Sequence, residues 1–166
     1  MIREEVNQTI AAFLEKMSTF NKEEFNTVPF KGSWTAGQVA EHVRLSCGGM
    51  AEMLWVDGAP TERQPDELVA MLKREFLDFT TRMQSPEEIL PAERIYDPQA
   101  LTAALSEIAT SIDDAARSLD LTQTCTAFEF PGVGNLTRLE MLWFVVVHTQ
   151  RHLHQLTNIR KALSEK

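Results

Sequence analysis

The sequence predicts an all-α protein, a four-helix bundle with an additional short helix between the second and third long helices. Three observations carry this. Four long segments repeat apolar residues every three or four positions, residues with capping side chains stand at the starts of most of them, and no period-two alternation extends as it would along a sheet. No internal repeat of about 20 to 50 residues is visible, which excludes a solenoid. The 166 residues, 43% hydrophobic and 24% charged, suit one domain with a single core across residues 1–166.

In the first helix Ile2, Val6, Ile10, Phe13 and Met17 make one apolar stripe, which stops near Asn21. A loop through Asn26 to Gly32 follows. Thr35 and Gln38 then read as a capping box: the threonine hydroxyl accepts from the amide three residues on, and the glutamine side chain reaches back. This second helix runs to about Trp55, before Asp57-Gly58-Ala59-Pro60. Between Pro65 and Met83, the residues Leu68, Met71, Leu72, Phe76 and Phe79 keep a helical spacing, and Pro86 and Pro91 break what comes next, leaving one short helix and a turn. Ser85-Pro86-Glu87-Glu88 reads as a cap with proline at the first helical position. Asp97-Pro98 repeats that arrangement for the third long helix, lined by Leu101, Leu105, Ile108, Ile112 and Leu119. After a turn-rich stretch from Phe128 to Asn135, Thr137 and Glu140 form another capping box, opening a last helix that reaches about Leu163. Met141 to Val147 is apolar all round, which places this helix in the middle of the bundle.

The formal charge of −8 and the dispersal of 16 basic residues argue against a nucleic-acid surface and against binding to anionic membranes. The longest strongly apolar run, Met141 to Val147, is far short of the about 20 residues a bilayer span needs, and Met1 to Glu5 has no signal-peptide character. A soluble, cytoplasmic protein is the expectation. Cys47 and Cys125 form no CxxC and are expected to be reduced, partly buried small hydrophobes, Cys125 within a loop.

His148 and His152 carry the chemistry. Four residues apart on a helix, their side chains sit about 40° apart around the axis and one turn above each other, the arrangement for two imidazoles to hold one metal ion. From His148 this face runs back through Val145, Phe144 and Met141 and forward through His152 and Gln155. His42 supplies a third imidazole on a matching line of the second helix through Thr35, Val39, Leu45, Gly49 and Met53. His154, rotated about 200° from His152, points away and is expected at the surface or an interface. Glu41, about 100° off the ligand face, reads as a solvated charge. Arg151, three residues from His148, reads as a surface cation near a helix carboxyl end, or as a group that meets an anionic substrate. Trp34, Trp55 and Trp143 read as core or interface aromatics.

The stretch Trp34-Thr35-Ala36-Gly37-Gln38-Val39-Ala40-Glu41-His42 resembles the helix-two signature of the DinB/YfiT-like superfamily. Gly134-Asn135-Leu136-Thr137 through His148-Thr149-Gln150-Arg151-His152 and Gln155 resembles its helix-four signature. The resemblance implies a four-helix bundle, often homodimeric, and a metal held by His42, His148 and His152. His154 stands where relatives often carry glycine. Three neutral ligands leave a coordination position open, as in metal sites that handle a substrate. The resemblance further implies a thiol S-transferase that uses an external low-molecular-weight thiol against an electrophile; Arg151 and Gln155, by their places on the helix, are the candidates to lie close to the substrate. Metal-dependent hydrolysis, or a metal-binding or stress-associated role without turnover, are the alternatives. Imidazole suits several divalent ions, of which zinc or nickel is expected.

Overall fold

The chain enters α1 (Ile2–Ser18) without a side-chain cap and leaves it at Thr19, slightly before the expected Asn21. A one-turn helix, α2 (Lys22–Phe25), follows because Asn21 and Glu24 form a capping box, the Asn21 carbonyl oxygen accepting from the Glu24 amide at 2.9 Å. Apolar periodicity does not reveal this turn; the Asn/Glu spacing does. The computed structural model describes residues 1–165. Both boxes expected for the long helices are present, Thr35 with Gln38 opening α3 (Ala36–Leu54) and Thr137 with Glu140 opening α6 (Arg138–Ser164). Asp97 caps α5 (Pro98–Ser118) by accepting from the Gln99 amide, with Pro98 at the first helical position.

These four long helices form the bundle. α1 packs on α5 and α6, and α3 packs on the same two, so the order around the bundle is α1, α6, α3, α5. The first two long helices therefore lie on a diagonal with the last between them. This explains why Met141, Leu142, Phe144, Val145, Val146 and Val147 are all buried: α6 has a neighbour on several sides. Phe13, Met17, Phe25, Leu54, Leu105, Ile112, Leu142, Leu156 and Ile159 fill the core, each contributing about 1.5 to 3 kcal/mol by leaving water.

The connections differ from the sequence reading in several places. The short helix, α4 (Val69–Phe76), is shorter than the Pro65–Met83 pattern and seats Leu72 against α6. Ser85 is not a cap: Pro86 holds that position before a single 3₁₀ turn, Glu87–Ile89, and the Ser85 hydroxyl lies beside His42 instead. Two-residue strands β1 (Gly58–Ala59) and β2 (Thr124–Cys125) pair antiparallel, a piece of sheet too short to give an alternating pattern. Trp55 is 47% exposed and belongs to no core. Cys47 and Cys125 are fully rather than partly buried. At Gly37, a Cβ would stand 3.0 Å from the Cβ of Tyr96, so glycine lets the start of α3 approach that ring closely. No helix among the described residues is long and apolar enough to cross a membrane.

Candidate metal centre

The capping boxes fix the phase of α3 and α6, and the packing of those two helices brings His42 against the His148–His152 pair. One ligating nitrogen from each of the three imidazoles lies within 4.8 Å of the other two, and all three residues are buried. His42 Nε2 is 3.0 Å from His148 Nε2. Ring centroids are 5.0 Å apart for His42 and His148, and 4.5 Å for each of the other pairs. For metal–nitrogen bonds of about 2.0 to 2.1 Å, nitrogens at right-angle or tetrahedral positions stand about 2.9 to 3.4 Å apart, so the His42–His148 separation falls in the range a shared ion requires.

Two of the rings are held in the tautomer a metal needs. His42 Nδ1 donates to the Ile89 carbonyl at 2.8 Å, with the Ser85 hydroxyl at 3.3 Å, which leaves the lone pair on Nε2. His152 Nδ1 donates to Gln155 Oε1 at 2.8 Å with the same result. His148 has no such partner, and its Nδ1 is buried without a hydrogen bond. Packing orients it instead: Phe144 stacks on the ring at 5.1 Å, and Phe76 meets it edge-on at 6.1 Å. A buried nitrogen without a partner costs about 1 to 3 kcal/mol, and it is not the Nε2 that faces His42. The donor set fits a borderline divalent cation.

Burial sets the protonation state. It pushes the His42 pKa below the usual imidazole range despite the opposing Ile89 carbonyl, and holds His148 far below it, with His152 and His42 adding repulsion. His152 is lowered to about 3, by burial first and His42 second, against the Gln155 hydrogen bond. At neutral pH all three rings are uncharged and free to ligate.

The other residues singled out in the sequence take different places. Gln155 touches the centre through His152. Arg151 is half-buried rather than a free surface cation, and its guanidinium donates to the carbonyls of Phe76, Asp78 and Thr81. His154 is exposed, as its angle requires, and stacks on Phe79 with centroids 4.2 Å apart. Glu41 is not solvated: it is 6% exposed, in a bidentate pair with Arg44 at 2.7 and 2.9 Å, with Arg94 at 3.6 Å. Trp34 tilts over His42 at 5.2 Å, and Trp143 lies under the Lys73 ammonium at 3.8 Å. The line drawn along α3 drifts: Leu45, Gly49 and Met53 are half-buried, whereas Val43, Cys47, Met50 and Leu54 hold the core. Ser85, Ile89, Phe76 and Phe144 escaped sequence reasoning as members of the site. Ile89 acts through its carbonyl, which no residue type encodes, while Phe144 lay on the expected His148 face and needed only that clue.

A buried trio of neutral imidazoles lies between two helices of a four-helix bundle, arranged so that it could hold a metal ion. The model of the DinB superfamily matches residues 5–156, and the chain belongs to that family. Among solved structures it is similar to YfiT from Bacillus subtilis, described as a probable metal-dependent hydrolase with an unusual four-helix bundle topology. The identity is 16%, 98% of this chain and 86% of that one are covered, and the TM-score is 0.65. It is also similar to TT2238, described as a four-helix bundle protein, at 21% identity, 95% and 96% coverage and a TM-score of 0.56. At these identities the likeness establishes the fold. No curated protein matches the sequence at a significant level.

Proposed function

We propose that this chain is a divalent-metal-dependent enzyme in which His42, His148 and His152 hold a zinc or nickel ion, and that it transfers an external low-molecular-weight thiol to an electrophile. The observation that carries this reading is the convergence of three buried, neutral imidazoles with no cysteine or carboxylate in the cluster among the described residues. A bound divalent ion supplies Lewis acidity, which lowers the pKa of an incoming thiol or water at neutral pH. The chain's own residues prepare that position. The Ile89 carbonyl and Gln155 fix two ring tautomers, and Phe76, Phe144 and Trp34 keep the surround apolar.

Neither cysteine serves as the nucleophile. Cys47 is buried against the Thr149 hydroxyl, its pKa pushed up to about 11 by burial, and Cys125 is buried against the Met53 carbonyl. Among the described residues no carboxylate hydrogen-bonds to any of the three rings, and Glu41, next to His42 in sequence, is committed to Arg44. Hydrolysis calls for a group that moves a proton between water and the leaving group, whereas a thiol of lowered pKa attacks carbon without one. That difference favours the thiol.

A metal-dependent hydrolase is the second reading, favoured by the description of the B. subtilis YfiT structure. Pairing into a homodimer belongs to either reading. Turnover of thiol and electrophile panels by metal-loaded protein and by His148→Ala separates them. Thiol-dependent turnover lost in the variant supports the transferase, hydrolysis of ester or amide substrates without thiol supports the hydrolase, and equal rates in both proteins contradict both.

A further inference from the structure

The centre is closed. His42, His148 and His152 are 3, 5 and 9% exposed, so any molecule that reaches an ion there must first displace something. What covers the centre differs from the rest of the molecule. From Lys73 to Ile95 no residue is buried, although this stretch contributes Phe76, Ser85 and Ile89 to the rings. Within it the backbone-to-backbone hydrogen bonds are local, as from the Thr81 amide to the Asp78 carbonyl and from the Leu90 amide to the Glu87 carbonyl. A segment without buried anchors and without ladder bonds to a neighbour opens at low free energy.

Besides the bond from His42 Nδ1 to the Ile89 carbonyl, two side chains of α6, the helix that carries the other two ligands, hold it down. Arg151 donates to the carbonyls of Phe76, Asp78 and Thr81, and His154 stacks on Phe79 with the rings 5° from parallel. The Asp78 carboxylate, bonded to Thr80 and Thr81, shapes the loop that the guanidinium clasps.

We infer that residues 77–90 form a lid over the metal centre and that Arg151 and His154 are its latch, positioning residues that admit or exclude the small-molecule ligand. This rests on the metal reading above. A latch sets the fraction of time the lid is open, so releasing it raises the rate of traffic to the ion in proportion while the closed state, still dominant, keeps its affinity.

The test compares wild type, Arg151→Ala and the pair Phe79→Cys/His154→Cys, each loaded with cobalt and challenged with a chelator. Amide hydrogen exchange is recorded across residues 77–90. In Arg151→Ala we expect about tenfold faster extraction, faster exchange confined to the lid, and an equilibrium affinity within about twofold of wild type. In the oxidised double-cysteine protein extraction should slow about tenfold and recover on reduction. Extraction rates equal in all three proteins overturn the lid while leaving the metal centre intact, and so does an Arg151→Ala affinity that falls as much as its rate rises. A wild type that takes up no cobalt overturns the reading on which the lid rests.

Discussion

Two buried polar clusters lie along α6, and they are built in opposite ways. At its start, Glu140 is wholly buried and every bond it can make is made. Its carboxylate receives both arms of Arg63 at 2.6 Å, the Leu68 amide at 2.8 Å and the Thr137 amide at 2.9 Å. Beside it the buried Arg138 donates to the carbonyls of Leu54 and Val56 and to Gln123. Two turns further along the same helix, three histidines are crowded together with one ring nitrogen unpaired. The first cluster ties loops to the bundle and is satisfied by the chain alone. The second crowds three uncharged rings, one nitrogen of each within 4.8 Å of the others, an arrangement in which a metal ion could sit.

The largest effect falls on the satisfied cluster. Glu140→Ala leaves Arg63 only the carbonyls of Gln64 and Asn135 and leaves two amides without an acceptor, and we expect a loss of about 3 kcal/mol of stability in urea denaturation, the range for breaking a buried pair with one partner partly exposed. A loss under about 1 kcal/mol would mean that the network is not what holds these loops. Gln155→Leu frees the His152 ring from its orienting bond. Metal affinity, measured by competition with a chromophoric chelator, should fall about 10- to 100-fold with little change in the melting of metal-free protein.

The sharpest contrast comes from His148→Leu. It fills the space between Phe144 and Phe76 with an apolar group and removes the orphaned Nδ1, but it also takes the partner from His42 Nε2, so metal-free stability should change by less than about 1 kcal/mol while metal no longer protects the protein. Destabilisation of the metal-free variant by more than about 1 kcal/mol would place His148 with the structural residues.

The smallest effect concerns Cys47, whose thiol is held protonated up to about pH 11 against an ordinary 9.0. Between those values the unfolded chain releases a proton that the folded chain keeps, so folding stability declines as pH rises through this window. Alkylation at pH 8 should be slow in the native protein and fast in urea. Rapid native alkylation would reopen the case for an internal nucleophile.

The sequence exposes what is encoded locally and hides what depends on distant backbone. Thr35 with Gln38, Asp97 with Pro98, and Thr137 with Glu140 each announce a helix start, and each start holds in the structure. The spacing of His148 and His152 fixes a shared face before any packing is known, and resemblance supplies His42 as their partner. The diagonal order of helices is invisible to periodicity, because a stripe says that a face is buried and not against which neighbour. Glu41 misled because helical angle shows where a side chain leaves the axis, whereas its burial depends on Arg44 folding over it and on Arg94 arriving from a distant loop. The cover over the centre has the weakest signal of all, since it rests on carbonyls gripped by Arg151.

A centre of this kind requires one ion shared by three rings. Elemental analysis of protein purified without chelator or histidine tag, alongside His42→Ala, His148→Ala and His152→Ala, tests it most directly. We predict about one divalent ion per wild-type chain and almost none in each variant. Wild-type protein that stays metal-free after incubation with zinc and nickel, or variants that carry as much metal as wild type, would contradict it.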